Sequence, residues 1–214
     1  MSLTDVLTFV NQSPVREVVI LLDSCHSGAL GQLPAIENNN VNIREGVSIL
    51  TASRSSEAAI EADGMGLFTS LVVAALDGGA ADILGRVTIA SMYAYVDESL
   101  GSWDQRPLFK AHLSTLTPLR NAKPAIEVPI LRRLPEWFPR PDSKFDLDPS
   151  YEPDAEPVNE EHERIFGCLQ KCRAVKLVEP VDEEHMYYAA MKSKPCRLTS
   201  LGRHYWRLAN GGRI

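Results

Sequence analysis

Val18-Val19-Ile20-Leu21-Leu22-Asp23-Ser24-Cys25-His26-Ser27-Gly28 is the stretch on which the reading of this chain turns. Five consecutive apolar residues, three of them β-branched, run directly into small and polar ones. A short unbroken apolar run bounded by turn residues reads as a strand buried on both faces, as in a parallel sheet. Open α/β sheets place their sites beyond the C-terminal ends of such strands. A thiol there is held by a rigid backbone, and Ser24, Ser27 and Gly28 are small enough for a substrate backbone to approach.

Outward from this strand, residues 1–121 read as α/β. A short helix opens near Ser2 or Thr4, with Leu3, Val6, Leu7 and Val10 on one face, and Ser13-Pro14 ends it. Gly46 to Ala52 reads as a second buried strand. Leu67 to Leu76 reads as a helix stopped at Gly78-Gly79, and Thr88 as the cap of another over Ile89–Leu100. Residues 29–45 lack periodicity and read as a mobile loop. Residues 122–157 hold eight of the fourteen prolines and an acidic cluster from Asp142 to Glu156. That composition predicts an extended linker with Trp137 and Phe138 as a packing anchor. Residues 158–214 regain pattern: a helix over Glu160–Arg173, two strands at Val175–Val181 and Met186–Met191 joined by Asp182-Glu183-Glu184, and a helix from Leu198.

Composition bounds the function. The chain has 214 residues, 44% hydrophobic and 23% charged, which is ordinary globular usage. No apolar run is long enough to span a bilayer, and the first residues lack the basic start of a signal peptide, so a cytoplasmic protein without membrane partners is expected. A net charge of −6 argues against a whole-chain nucleic-acid binder. The four cysteines form no CxxC pair, so no structural zinc is expected; Cys168 and Cys172 read as helix thiols.

Asp23-Ser24-Cys25-His26-Ser27-Gly28 after an apolar strand resembles the nucleophile segment of the caspase-like cysteine peptidases, closest to the metacaspase and bacterial caspase branch. Gly46 to Ser53 resembles that family's next strand, Gly66-Leu67-Phe68-Thr69 its following helix, and Gln105-Arg106-Pro107 the approach to its last strand. The resemblance covers residues 1–121. It implies a thiol endopeptidase acting on a protein or peptide: Cys25 is the nucleophile and Asp23 lines the pocket for the residue before the cut, favouring Arg or Lys. Glu57, Glu61 and Asp63 are candidates to extend that pocket or to form a calcium site of the metacaspase kind; no other cofactor is implied. Arg44 is the sole basic residue of the 29–45 loop and a candidate for self-cleavage.

The chain departs from this pattern in one respect. A caspase-like peptidase activates its thiol with a histidine that in caspases lies about 50 residues upstream. Only 24 residues precede Cys25, and none is histidine. The family's sheet has six strands with the nucleophile after the fourth, whereas here the nucleophile strand is the first one visible. The fold expectation is therefore an incomplete caspase-like, Rossmann-like sheet, mainly parallel, with flanking helices. A truncated product, a separate chain supplying the histidine half, or a reorganised fold would account for it, and this chain alone is expected to have little or no activity.

Helix, hairpin and helix within residues 158–214 resemble the back half of a winged-helix domain, a small α+β module. From Val158 onward ten basic residues meet seven acidic ones. The surplus would suit phosphate contacts, but Asp182-Glu183-Glu184 at the wing tip would repel them. The alternative to a peptidase is thus a non-catalytic regulatory or binding module that uses this domain for a protein partner or, less favoured, DNA.

Overall fold

The computed structural model describes residues 3–23, 43–52, 61–62, 65–100, 107–154 and 156–214. They are mixed α/β and divide into two compact units, Met1–Lys123 and Pro124–Ile214.

The first unit is built on a three-stranded sheet, β1 (Val18–Leu22), β2 (Val47–Thr51) and β6 (Leu108–His112), with β2 in the middle. β1 pairs with β2 in parallel, Val18 opposite Val47 and Leu22 opposite Thr51. β6 pairs with β2 antiparallel, Val47 opposite His112 and Thr51 opposite Leu108. The sheet thus has one parallel and one antiparallel pairing, which differs from a mainly parallel one. Period-two alternation divides the side chains of β2. Val47 and Ile49 pack with Ile20 against Leu7 and Val10 of α1 (Leu3–Gln12). Leu50 and Ala52 face Phe68 and Val72 of α2 (Leu67–Ala74) and Met92 and Val96 of α3 (Ile89–Leu100). α2 runs into a wider turn, Ala75–Gly79, that ends where Gly78 takes a φ of 117°. The start of α3 is closed reciprocally: Ser91 N–H donates to Thr88 Oγ1 (3.1 Å) and Thr88 N–H to Ser91 Oγ (3.0 Å). Two short ladders complete the unit, β3 (Glu61–Ala62) with β4 (Met65–Gly66) and β5 (Arg86–Val87) with β7 (Arg120–Asn121).

In the second unit, residues 124–157 are not a linker. They form α4 (Val128–Arg132), α5 (Leu134–Trp137), β8 (Lys144–Phe145) and a 3-10 turn at Pro149–Tyr151, and they bury Ile130, Leu131, Leu134, Trp137, Phe138 and Leu147. The prolines are helix starters here: Pro129 and Pro135 occupy first-turn positions, where no backbone N–H is needed. α6 (Glu160–Ala174) follows, capped by Asn159, whose side chain accepts from His162 N–H at 3.1 Å.

The expected hairpin is replaced by β9 (Val178–Pro180), α7 (Met186–Met191) and β10 (Cys196–Leu198), before α8 (Ser200–Asn210). Met186–Met191 is a helix because Met186, Ala189 and Ala190 bury at positions i, i+3 and i+4. The second sheet has the order β8-β10-β9, all antiparallel. Trp206 Nε1 donates to the Phe138 carbonyl at 2.6 Å, tying α8 to the segment expected as linker.

Replacing Leu134, which is fully buried, by Ala should destabilise the second unit by about 2–5 kcal/mol in urea denaturation. A change within about 0.5 kcal/mol, the ordinary effect of an exposed linker position, would contradict this packing.

Candidate functional site

The parallel register of β1 and β2 brings their C-terminal ends level, and Ala52 N–H donates to the Leu22 carbonyl at 2.9 Å. Asp23 follows directly and is exposed. Thr69 Oγ1, in the first turn of α2, donates to Asp23 Oδ2 in a short hydrogen bond. A Cβ on Gly66 would come within 2.8 Å of the same carboxylate oxygen, so the carboxylate lies directly against the Gly66 backbone. α2 has no side-chain cap of its own at Gly66. The Asp23 carboxylate therefore supplies negative charge at a helix start, an arrangement worth about 0.3–1 kcal/mol. It is both oriented and open to solvent, which lets a cation approach from outside.

Of the other acidic candidates, Glu61 stands opposite Gly66 in the β3–β4 ladder, so the backbone brings Asp23 and Glu61 to the same glycine. Glu57, Asp63 and the nucleophile candidate Cys25 lie outside the described residues. Among the described residues no group of three or more His, Cys, Asp or Glu is placed to hold a metal ion, and no helix is long and apolar enough to cross a membrane.

Arg44 belongs to the frame of the sheet. Its guanidinium donates to the carbonyls of Val10, Ser13, Val15, Arg16 and Glu45. It thereby clips the end of α1 and the turn after it to the start of β2. Cleavage after Arg44 would first have to break these bonds.

The described histidines are placed elsewhere. His112 pairs with Val47, opposite Val18, so it stands at the end of the sheet away from Asp23. Five residue steps, Val18 to Asp23, separate the two levels, about 16 Å. His162 stacks on Tyr151 with ring centroids 4.1 Å apart and its Nδ1 2.6 Å from Ser150 Oγ, a packing arrangement within the second unit. His185 lies beside Tyr188 and His204 beside Tyr205.

Thr69 and Gly66 are the site residues that sequence reasoning passed over. The available signal was a hydroxyl three residues after a glycine at a helix start, within the stretch already matched to the family's helix.

Comparison of the chain with protein-family models, with curated proteins and with solved structures finds no match in any of the three. The resemblance to caspase-like peptidases therefore rests on the quoted residues alone.

The described cysteines set a reactivity background for Cys25. Burial pushes the Cys172 and Cys196 thiols up to about 12. At about pH 8 both should resist iodoacetamide in the folded protein and react only on unfolding, as read by peptide mass. The ordinary thiol value is about 9. The folded state thus holds protons that the unfolded chain releases, so the stability contribution is complete below about pH 9 and lost as pH rises towards 12. Arg44→Ala should lower the stability of the first unit by about 1–3 kcal/mol, since several carbonyls lose a charged donor. Urea denaturation checks it; an unchanged midpoint would mean the clip is idle.

Proposed function

We propose that the first unit is the nucleophile-bearing half of a cysteine endopeptidase of the caspase and metacaspase kind, cutting after Arg or Lys. On this reading the three-stranded sheet is part of a Rossmann-like caspase sheet, and the second unit is a winged-helix-like regulatory module in a cytoplasmic enzyme. The observation that carries the reading is the Asp23 carboxylate at the C-terminal end of β1, oriented by Thr69 and Gly66 yet exposed, two residues before Cys25.

The chemistry is ordinary thiol acyl transfer. The Cys25 thiolate attacks the carbonyl carbon of the scissile bond, the C–N bond breaks, and the amine leaves with a proton. Water then hydrolyses the thioester and restores the thiol. Asp23 binds the cationic side chain on the acyl side of the bond. The proton acceptor is a histidine that none of the described ones replaces, so the second expectation is that the chain alone turns over substrate poorly. Open pairing groups on β1 support the same reading, because β2 is its sole strand neighbour among the described residues.

The test is covalent labelling by Arg-directed and Asp-directed peptide ketones of equal reactivity, scored on intact mass with Cys25→Ala as the control. It should be run on this chain. Arg-directed labelling should exceed Asp-directed labelling by at least about tenfold, and Asp23→Asn should abolish the preference. Equal labelling by both probes, or a preference untouched by Asp23→Asn, would sink the proposal.

A further inference from the structure

The second unit segregates its charge. A cleft of about 900 Å³ opens where the end of α6 meets β9, β10 and the start of α8, and its wall carries Arg173, Lys176, Arg197 and Arg203 against one carboxylate, Glu179. Leu201 and its neighbours give the wall an apolar part. Four cations converge here on one carboxylate in a chain of net charge −6, and Glu179 pairs with Arg197 alone.

The cationic stripe continues beyond the cleft. Arg197 pairs with Glu179 on β9 and with Lys144 on β8, so these three side chains share one face of the sheet. The alternate residues Cys196 and Leu198 turn into the core. Arg197 Nε donates to Glu179 Oε1 at 2.8 Å and Arg203 Nη2 to Ser200 Oγ at 3.0 Å, which leaves most of each guanidinium's donors open. Arg173 and Lys176 have no side-chain partner among the described residues.

Lys176 is the telling residue. It has a φ of 60° directly after Val175, the C-terminal cap of α6, the left-handed position where helices usually place glycine. A lysine there costs stability relative to glycine. Thr199 holds this turn twice: its Oγ1 donates to the Lys176 carbonyl at 2.7 Å, and its N–H to the Leu177 carbonyl at 3.0 Å. The turn after α6 is thus tied to Thr199 at the start of α8, and it carries a cationic side chain at a backbone position that favours glycine.

We propose that this cleft binds the phosphodiester backbone of a nucleic acid, independently of the reading of the first unit. Guanidinium forks match the paired free oxygens of a phosphate. A phosphodiester chain repeats its charge along the stripe from Lys144 to Arg203, and its sugars and bases offer flat faces to the apolar wall. An acidic peptide satisfies single forks, but its carboxylates do not recur at every unit of its backbone as phosphates do. The acidic trio Asp182-Glu183-Glu184, expected at a wing tip, instead precedes α7 and lines no part of the cleft; Glu183 is held by Lys192 at 2.9 Å.

The experiment is fluorescence anisotropy of the full chain with labelled single-stranded and duplex oligonucleotides, and with a poly-glutamate peptide of equal charge. Four phosphate contacts predict a log–log salt slope of about −3, or about 50-fold weaker binding between 50 and 200 mM salt. Lys176→Gly should raise the melting temperature yet weaken oligonucleotide binding several-fold and flatten the slope by about one. Glu179→Gln should tighten binding by freeing Arg197. Saturable binding of either oligonucleotide with these shifts supports the proposal, and the two forms tell single strand from duplex. Equal or tighter binding of poly-glutamate overturns it in favour of a carboxylate partner. A Lys176→Gly protein that is more stable but binds the oligonucleotides unchanged overturns it outright.

Discussion

Strand β2 is buried along all five of its residues, and the first unit is organised by that constraint. A strand with no solvent face must find partners on both edges and cover on both faces. β1 and β6 take the edges, α1 covers one face, and α2 with α3 covers the other. Parallel pairing with β1 then fixes which end of β1 lies level with the end of β2. That register places Asp23 beside the first turn of α2, where Gly66 leaves room for its carboxylate and Thr69 holds it. The site is a consequence of how β2 is buried.

Much of the first unit was legible because its signals were local and agreed. The apolar runs at Val18–Leu22 and Val47–Thr51 are strands, and Thr88 caps α3 as its position before an apolar-periodic run implied. The second unit was misread where composition replaced position. Eight prolines between residues 122 and 157 look like a linker when counted. Two of them open helices and a third opens the 3-10 turn, with Asp148 accepting from Ser150 N–H at 2.8 Å. Met186–Met191 is too short for periodicity to separate strand from helix, and the burial of Ala189 and Ala190 decides it only in three dimensions. Of the candidate site, Asp23 was legible and its carboxylate lies against Gly66, whose ladder partner is Glu61; the hydroxyl that orients Asp23 comes from another element and leaves no mark near residue 23.

Lys176 and Arg44 show why charge must be read with geometry. Both are basic residues at chain reversals. Arg44 spends its donors on the backbone of its own unit, which makes it part of the frame. Lys176 holds a strained backbone and leaves its ammonium unpaired beside three guanidiniums. The first arrangement is complete in itself; the second sets one carboxylate, Glu179, against four cations.

Among the described residues β1 has β2 as its one strand neighbour. All five of its residues are apolar, against three of five in β2, yet Leu21 is 40% exposed and only Ile20 is buried. An apolar strand with an open edge is a template for further pairing, which proteins ordinarily blunt with charge, proline or cover. No charge or proline interrupts Val18–Leu22. The strand therefore carries the composition of an interior position in a wider sheet. That is the position the peptidase reading gives it, and a strand added at that edge would flank the end of β1 from which Asp23 and Cys25 follow.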